Sequence, residues 1–213
     1  ANHIAVLFQN PSEIRPAGGF IGSYANIGIQ DGSITDLDVR DIYDPDGQLH
    51  AKVLPPRPLQ AITGKWGARD ANWFFDFPTS AGKVISFLNQ SKIYSERNIK
   101  FNAAIALNVR VLEDIIAAVG PIELPEYQLT ITPDNFLTNV QREVESGEDN
   151  KNGEPKKILK NLTPIILEKL AGLSQSQKQM LAKSFKDRID QKDIMAYFDD
   201  RGLEAYAQNE GWG

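Results

Sequence analysis

The sequence contains no cysteine, which excludes disulfide bonds, thiolate metal sites and cysteine nucleophiles. Only two histidines are present, His3 and His50, and this excludes a histidine-rich zinc site. Lysine and arginine together number 23 against 28 acidic residues, which gives a formal net charge of −5. A chain without a basic excess has no field to hold a phosphodiester backbone, so nucleic acid is not an expected partner.

Long apolar runs are absent as well, and none approaches the roughly 18 residues of a membrane-spanning helix. The chain opens directly on a strand-like segment, without the pattern of a signal peptide. A protein separated from an upstream anchor would begin in this way, and so would a cytosolic protein. With 213 residues, of which 41% are hydrophobic, the sequence can bury one sizeable core.

The clearest structural signal is a β-hairpin over residues 20–40. Side chains alternate along FIGSYANIGIQ, and Asp31-Gly32 is a typical residue pair for a two-residue turn. Short apolar runs at 4–8 and 102–109 predict further buried strands, and helical periodicity appears between them and again afterwards. This alternation predicts an α/β fold with a mixed central sheet, a long hairpin and flanking helices.

A charged segment without apolar side chains, 145–155, is the best internal boundary. It separates a predicted α/β core at 1–144 from a predicted helical extension at 156–213 that packs on the core. The composition of the segment predicts a mobile linker. The helices expected in the extension cover residues 156–172, 175–189 and 191–199. Pro164 lies inside the first of them and is expected to kink it.

Polar residues gather at the ends of the hairpin. Arg15 precedes its first strand, and Arg40 and Asp41 close its second strand, so we expect these three side chains to lie close together. Two arginine forks beside a carboxylate suit a phosphate or pyrophosphate ligand, and an aspartate can hold a bridging Mg²⁺. An internal Arg–Asp salt bridge that closes the end of the sheet is equally good chemistry, and both alternatives stay open.

A second unusual segment is RDANWFFDFPTSA, residues 69–81, in which charged side chains are interspersed with four large rings. Such rings are most often core residues. The other interpretation makes these rings, Trp73 and Phe75 among them, the wall of a groove for an apolar chain or a sugar.

The stretches NPSEIRPAGGFIGSY, RDANWFFDFPTSA, ALNVRVLEDIIAAVGPIEL and FLTNVQREVE resemble a bacterial domain-of-unknown-function family found behind an N-terminal membrane helix. The order of elements is more remotely similar to the LytR–CpsA–Psr proteins. Those proteins are extracytoplasmic transferases that move glycan polymers from a polyprenyl-pyrophosphate carrier to the cell wall. The resemblance implies their α/β fold and a position on the extracytoplasmic face of a bacterial membrane, anchored by a helix outside this chain.

The resemblance also implies roles for individual residues. Arg15, Arg40 and Asp41 match the catalytic positions, and Arg142 matches one member of an arginine pair that clamps the pyrophosphate. The Mg²⁺ of such a site is expected on Asp41, with Asp76, or alternatively Asp70, as the substitute for a lost family ligand. The predicted ligand-binding residues are Arg69, Asp70, Trp73, Phe75 and Arg142.

Two functions are compatible with these features. In the first, the protein binds a phosphate-bearing lipid-linked glycan, either with or without transferring it to the cell wall as a glycopolymer transferase does. In the second, it is a non-catalytic envelope module that binds a glycan or a partner protein in the same groove. Ala17 stands near the position where the transferase family has a metal-binding aspartate. A transferase needs at least two arginines and a carboxylate in one pocket, whereas a binding module can leave them paired with each other.

Overall fold

The structure, a computed structural model, describes residues 2–146, 152–154 and 156–213. Its strands are β1 (Asn2–Asn10), β2 (Phe20–Gln30), β3 (Ser33–Asp41), β4 (Phe101–Asn108), β5 (Ile122–Leu124), β6 (Leu129–Ile131) and β7 (Ile194–Phe198). Its helices are α1 (Tyr43–Gly47), α2 (Phe77–Gln90), α3 (Lys92–Ser95), α4 (Val109–Val119), α5 (Phe136–Ser146), α6 (Lys157–Ala171), α7 (Gln175–Asp190) and α8 (Arg201–Asn209). In the described part of the chain, no helix has both the length and the apolar character needed to cross a membrane.

Five of the strands form one sheet in the order β3-β2-β1-β4-β7, and β5 pairs with β6 separately. The predicted hairpin is confirmed, because β2 and β3 run antiparallel with Gln30 opposite Ser33 at the tip. Asp31 and Gly32 adopt positive φ there, 50° and 77°, as a two-residue turn of this kind requires. The predicted α/β fold, with a mixed sheet and flanking helices, is also confirmed.

The segments Ala1–Ala106 and Met195–Gly213 form the first of two compact units. Its core takes the apolar stripe of α2, where Val84, Phe87 and Leu88 follow the spacing of one helix face. All three side chains are fully buried, and each burial stabilises the fold by roughly 1.5–3 kcal/mol.

The second compact unit is Leu107–Ile194, which has a core of its own. Helix α4 contributes Ile116 to this core, and α6 contributes Ile158 and Leu162. Helix α7 begins at a capping box, because the Ser174 hydroxyl accepts from the Gln177 backbone N–H and the Gln177 side chain accepts from the Ser174 N–H.

The predicted helix at 191–199 is wrong, because this stretch contains strand β7. Its sequence, IMAYF, is a short apolar run, and periodicity alone cannot assign such a run to a helix or a strand. Met195 and Ala196 are buried, and β7 lies beside β4 at one edge of the sheet. The other two predicted helices are confirmed as α6 and α7, and α8 follows β7 in the tail.

The predicted linker, 145–155, is covered only in part. Residues 147–151 and 155 lie outside the described residues, so the mobility of this segment stays a prediction. The division into a core at 1–144 and an extension at 156–213 likewise stays a prediction.

Candidate functional site

The candidate site lies in the first unit, where β3 ends and α1 begins. The antiparallel register places Arg40 opposite Tyr24 and Asp41 opposite Ser23. Residues directly opposite each other project from the same face of a sheet. Arg40 therefore shares the face of Tyr24, whose side chain is fully buried.

Arg40 is held by partners inside the protein. Its Nε lies 2.5 Å from Asp38 Oδ2, and the two side chains are 29% and 30% exposed. Nearby, the hydroxyl oxygens of Tyr24 and Tyr94 are 2.5 Å apart. Burial raises the pKa of Tyr94 to about 12 and raises the pKa of Tyr24 further, so both hydroxyls stay neutral at physiological pH. The structure thus shows an internal Arg–Asp pair here, with Asp38 rather than Asp41 as its acid.

Asp41 has a local structural role at the same point. Its Oδ1 accepts a hydrogen bond of 2.9 Å from the backbone N–H of Tyr43, the first residue of α1. A carboxylate that satisfies a backbone donor two residues on is a common way to fix a turn. Asp41 therefore sets the direction in which the chain leaves the sheet.

A cavity of about 240 Å³ lies beside α1, and we call it the Arg69 cavity. It is lined by Tyr43, Asp46, Gly47, Leu49, Thr63, Lys65, Gly67, Arg69 and Asp70. Two predicted ligand-binding residues, Arg69 and Asp70, are in this lining. The other lining residues come from α1 and from the long proline- and glycine-containing loop that follows it.

Asp46 organises the wall of the Arg69 cavity. Its two carboxylate oxygens accept the backbone N–H groups of Ala68, at 2.6 Å, and Arg69, at 3.1 Å. Lys65 Nζ donates to the backbone oxygen of Asp46 at 3.0 Å. Burial raises the pKa of Asp46 above its usual value, against the opposing effect of the two backbone hydrogen bonds. The carboxylate thus fixes the turn that presents Arg69.

Arg69 is positioned on two sides. Its Nε and Nη2 donate to Asp70 Oδ2 at 3.0 and 2.6 Å, and this hydrogen bonding raises the pKa of Arg69. Its guanidinium lies 5.0 Å from the centre of the Tyr43 ring, in a cation–π contact. Asp70 is anchored in turn, because its backbone oxygen accepts from Trp66 Nε1 at 3.0 Å. A guanidinium has five N–H donors, so Arg69 retains donors for a ligand in the cavity.

The remaining predicted polar residues have partners of other kinds. Arg15 Nη1 donates to the Ile14 backbone oxygen at 2.9 Å, and its guanidinium lies 5.0 Å from the Phe20 ring centre. Arg142 belongs to the second unit, on α5, where its Nε is 3.5 Å from Glu143 Oε1. The structure therefore places one of the predicted arginines, Arg69, in the lining of the Arg69 cavity.

Asp76, a predicted metal ligand, caps helix α2. Its Oδ2 accepts from the backbone N–H of Thr79 at 2.8 Å and from the Thr79 hydroxyl at 2.5 Å. Within 2–146, 152–154 and 156–213 there is no group of three or more acidic or histidine side chains that could hold a metal ion. Mg²⁺ binding at Asp41 or Asp76 stays a prediction.

The rings of the 69–81 segment divide between core and solvent. Phe77 is buried and Trp73 is half-buried against the core, whereas Phe75 is 90% exposed. Asn72 holds the segment in place, because its Nδ2 donates to the backbone oxygens of Ala17 and Gly19 at 2.8 and 2.7 Å. Neither Trp73 nor Phe75 lines the Arg69 cavity.

Sequence reasoning did not identify three residues that build this region: Asp46, Lys65 and Asn72. A partial signal exists for Asp46, which precedes a glycine in a proline-bounded turn and could have been expected to accept backbone hydrogen bonds. Its partner Ala68 is 22 residues away, and nothing in the local pattern indicates that pairing. Asn72 is 55 residues from Ala17 and gives no signal at all.

Comparison with known proteins identifies related sequences and folds. The model of the family described as "Protein of unknown function (DUF4012)" matches residues 1–144. The crystal structure of protein gbs0355 from Streptococcus agalactiae is similar with a TM-score of 0.56 and 15% identity, over 99% of this chain and 74% of that chain. This likeness shows a shared fold. No curated protein matches the sequence.

Two further solved structures align at lower similarity. Lin1025 protein from Listeria innocua has a TM-score of 0.47 and 12% identity, over 100% of this chain and 78% of that chain. TagV from B. subtilis has a TM-score of 0.39 and 11% identity, over 100% of this chain and 80% of that chain.

Proposed function

This chain belongs to the DUF4012 family, and on that premise we propose that it is a non-catalytic binding module of a bacterial cell envelope. In this proposal the Arg69 cavity holds a phosphate-bearing group of a glycan. The module acts on the extracytoplasmic face of the membrane, and its contact with the membrane is made by an anchor outside this chain. The glycan is one attached to a lipid carrier or to the cell wall.

The observation that supports this proposal best is the fixed position of Arg69. Its guanidinium is held over the Tyr43 ring and against Asp70, so its remaining donors are ordered before any ligand arrives. Preordered donors bind an anion with little further loss of side-chain entropy. A planar arginine fork is the side chain best suited to phosphate oxygens.

The charge balance of the Arg69 cavity also favours an anionic group. Lys65 and Arg69 contribute two cations to its lining, and Asp70 contributes one anion. The fourth charged group, Asp46, directs both carboxylate oxygens to the backbone N–H groups of Ala68 and Arg69. A volume of about 240 Å³ is smaller than typical pockets for drug-sized ligands and suits one phosphate or one sugar ring.

The same geometry favours binding over transfer. Phosphoryl-transfer sites stabilise the developing charge with several cations directed at one phosphate. Here Arg40 is paired with Asp38, and Arg15 lies over Phe20. This is the pattern of arginines paired within the protein that is expected of a binding module.

Isothermal titration with glucose 1-phosphate, and with glucose as the uncharged comparison, tests the proposal. Arg69→Gln should weaken glucose 1-phosphate binding about tenfold or more, as expected for the loss of a charged hydrogen bond. Arg57→Gln, an exposed arginine outside the cavity, is the matched control and should bind like the parent protein. Equal binding of glucose 1-phosphate by the parent and Arg69→Gln would contradict the proposal.

The proposal that the protein does not catalyse transfer has a separate test. Geranyl pyrophosphate, incubated with the protein and Mg²⁺ in the presence of chitotetraose as a glycan acceptor, should remain intact. Formation of a phosphorylated acceptor together with geranyl phosphate, both lost in Arg40→Ala, would show instead that this is a transferase.

A further inference from the structure

A second cavity lies entirely within the second unit, and its lining differs in kind from that of the Arg69 cavity. It has a volume of about 350 Å³, and we call it the Tyr127 cavity. It is lined by Glu123, Leu124, Pro125, Glu126, Tyr127, Lys160, Asn161, Pro164 and Ile165. We infer that this cavity is a binding site for an uncharged sugar unit of a glycan, separate from the site proposed above.

Two carboxylates in the lining each keep one oxygen for a ligand. Glu123 uses one oxygen, Oε2, to accept from the Thr130 hydroxyl at 2.8 Å. Glu126 also uses only Oε2, which accepts from Asn161 Nδ2 at 3.0 Å. In the described part of the chain, the Oε1 atom of each carboxylate forms no hydrogen bond and remains available as an acceptor.

A backbone carbonyl of α6 loses its usual helical donor to a proline. Pro164 lies inside this helix and has no N–H, so the carbonyl of Lys160, four residues earlier, lacks its usual helical donor. Both residues line the Tyr127 cavity. A proline in a helix interior is costly, and sequences break such local rules most often at functional sites. The carbonyl adds an acceptor to those of the two glutamates.

The chemical groups of the Tyr127 cavity together suit a sugar. Lys160 adds an exposed cationic donor to these acceptors, and Tyr127 adds an aromatic ring that packs against the core of the second unit. A hydroxyl group both donates and accepts hydrogen bonds, so a ring with several hydroxyls can use every one of these groups. A tyrosine offers such a ring an apolar surface with a polar tip.

The mixture of charges in the lining disfavours a small ligand that carries a single charge. Two glutamates repel a phosphate or a carboxylate, and Lys160 repels an ammonium ion. A neutral sugar unit avoids both repulsions. The volume of about 350 Å³ is within the range of small-molecule pockets and exceeds that of the Arg69 cavity.

Chitotetraose, a neutral oligosaccharide, is the probe for this inference. In ¹H–¹⁵N correlation spectra of the full chain, about 10 mM chitotetraose should shift the amides at 123–127 and 160–165, as expected for millimolar binding. Glu126→Ala should weaken this binding about fivefold or more, and the exposed Glu168→Ala on the same helix as Lys160 should not. The absence of shifts at these amides, or equal affinity in Glu126→Ala and the parent, would overturn the inference.

Pro164→Ala separates a binding role from a structural one. It restores the N–H that the Lys160 carbonyl lacks, so it should raise the melting temperature of the second unit and also weaken chitotetraose binding about threefold. A variant that gains stability cannot lose affinity through unfolding. Unchanged affinity would overturn the assignment. Arg69→Gln should leave chitotetraose binding intact, so the two sites can fail independently.

Discussion

Asp46 in the first unit and Asp114 in the second are both held by several hydrogen bonds, but their partners differ in charge. Asp46 accepts two backbone N–H groups, and burial raises its pKa. Asp114 accepts Arg188 on both oxygens, from Nε at 2.7 Å and from Nη2 at 2.9 Å. The Arg188 hydrogen bonds lower the pKa of Asp114, with a further contribution from the Ser184 hydroxyl.

The difference shows how the same side chain serves two purposes. In the first unit, two backbone N–H groups position the Asp46 carboxylate, and the nearby cation Arg69 pairs with Asp70 and keeps further donors. In the second unit, Arg188 binds Asp114 and also lies 3.1 Å from Asp193, so its charge is used within the protein. The hydrogen-bond pattern in the first unit is compatible with the proposed ligand site, and in the second unit it forms a structural clamp.

The largest effect is expected from Arg188→Met. The substitution leaves Asp114 and Asp193 without their cation, and we expect a loss of about 2–3 kcal/mol in the free energy of unfolding. This loss is smaller than that for a fully buried pair, because the Arg188 side chain is 21% exposed. Hydrogen exchange of α4 and α7, with urea titration, measures it. Arg110→Met, an exposed arginine on α4, is the control, and an equally small loss in both variants would contradict the clamp.

A smaller effect is expected from Gly67→Ala in the first unit. A Cβ atom at this position would lie 2.5 Å from Asp46 Oδ2, so Asp46 must move and release its backbone donors. The φ of −143° suits any residue, so the cost is steric, and we expect a loss of about 1–2 kcal/mol. Gly64→Ala is the control, because among the described residues only Gly64 itself and its two chain neighbours have atoms within 4 Å of the place its methyl group would take.

All three tryptophans, Trp66, Trp73 and Trp212, belong to the first unit, so their fluorescence reports the unfolding of that unit. In an Asp46→Ala background, the same Gly67→Ala change should cost much less, since the obstructing carboxylate is gone. An equal loss in the free energy of unfolding in both backgrounds would show that contact with Asp46 is not the cause of the destabilisation by Gly67→Ala.

The smallest expected effects concern the pH dependence of the free energy of unfolding, in which Asp114 and Asp46 contribute with opposite signs. The lowered pKa of Asp114 means that its stabilisation is present above the unfolded value of about 3.9 and is lost as the pH falls through the folded pKa. The raised pKa of Asp46 means that its contribution is present below about 3.9 and is lost as the pH rises through the folded pKa.

Urea midpoints measured from about pH 3 to about pH 7 check these signs. Asp114→Asn should reduce the fall in the free energy of unfolding that occurs as the pH is lowered. Asp46→Asn should remove the fall in the free energy of unfolding that occurs as the pH is raised. Each change should amount to about 1 kcal/mol or less. If the urea midpoints of the two variants changed with pH in the same way, the two carboxylates would not differ in their effect on stability.

The sequence predicts this fold best where local chemistry alone decides the structure. The hairpin could be predicted because Asp31-Gly32 determines the turn and one strand alternates along its length. Strand β7 could not, because five apolar residues fit either element and the choice is made by pairing beside β4, which lies far away in sequence. Tertiary context overrides local propensity in such short runs.

Two of the residues that line the Arg69 cavity, Arg69 and Asp70, were predicted from the sequence as site residues. Arg69 and Asp70 stood out because charges next to large rings are unusual, and they do line a cavity. The partner of Arg40 is Asp38, two residues away on the same strand, although Asp41 is its immediate neighbour in sequence. Positions in a sequence do not specify which of several nearby carboxylates a guanidinium will bind.

The place of β7 at the edge of the sheet has a consequence for synthesis on the ribosome. The first unit needs residues from both ends of the chain, whereas the second is one continuous segment inserted between them. Nascent Ala1–Ala106 therefore emerges with one edge of its sheet unpaired, beside β4, until Ile194–Phe198 has been made. The continuous segment can fold during this interval. A ribosome-bound chain stalled before β7 should accordingly expose the edge of β4 with unpaired backbone N–H and C=O groups.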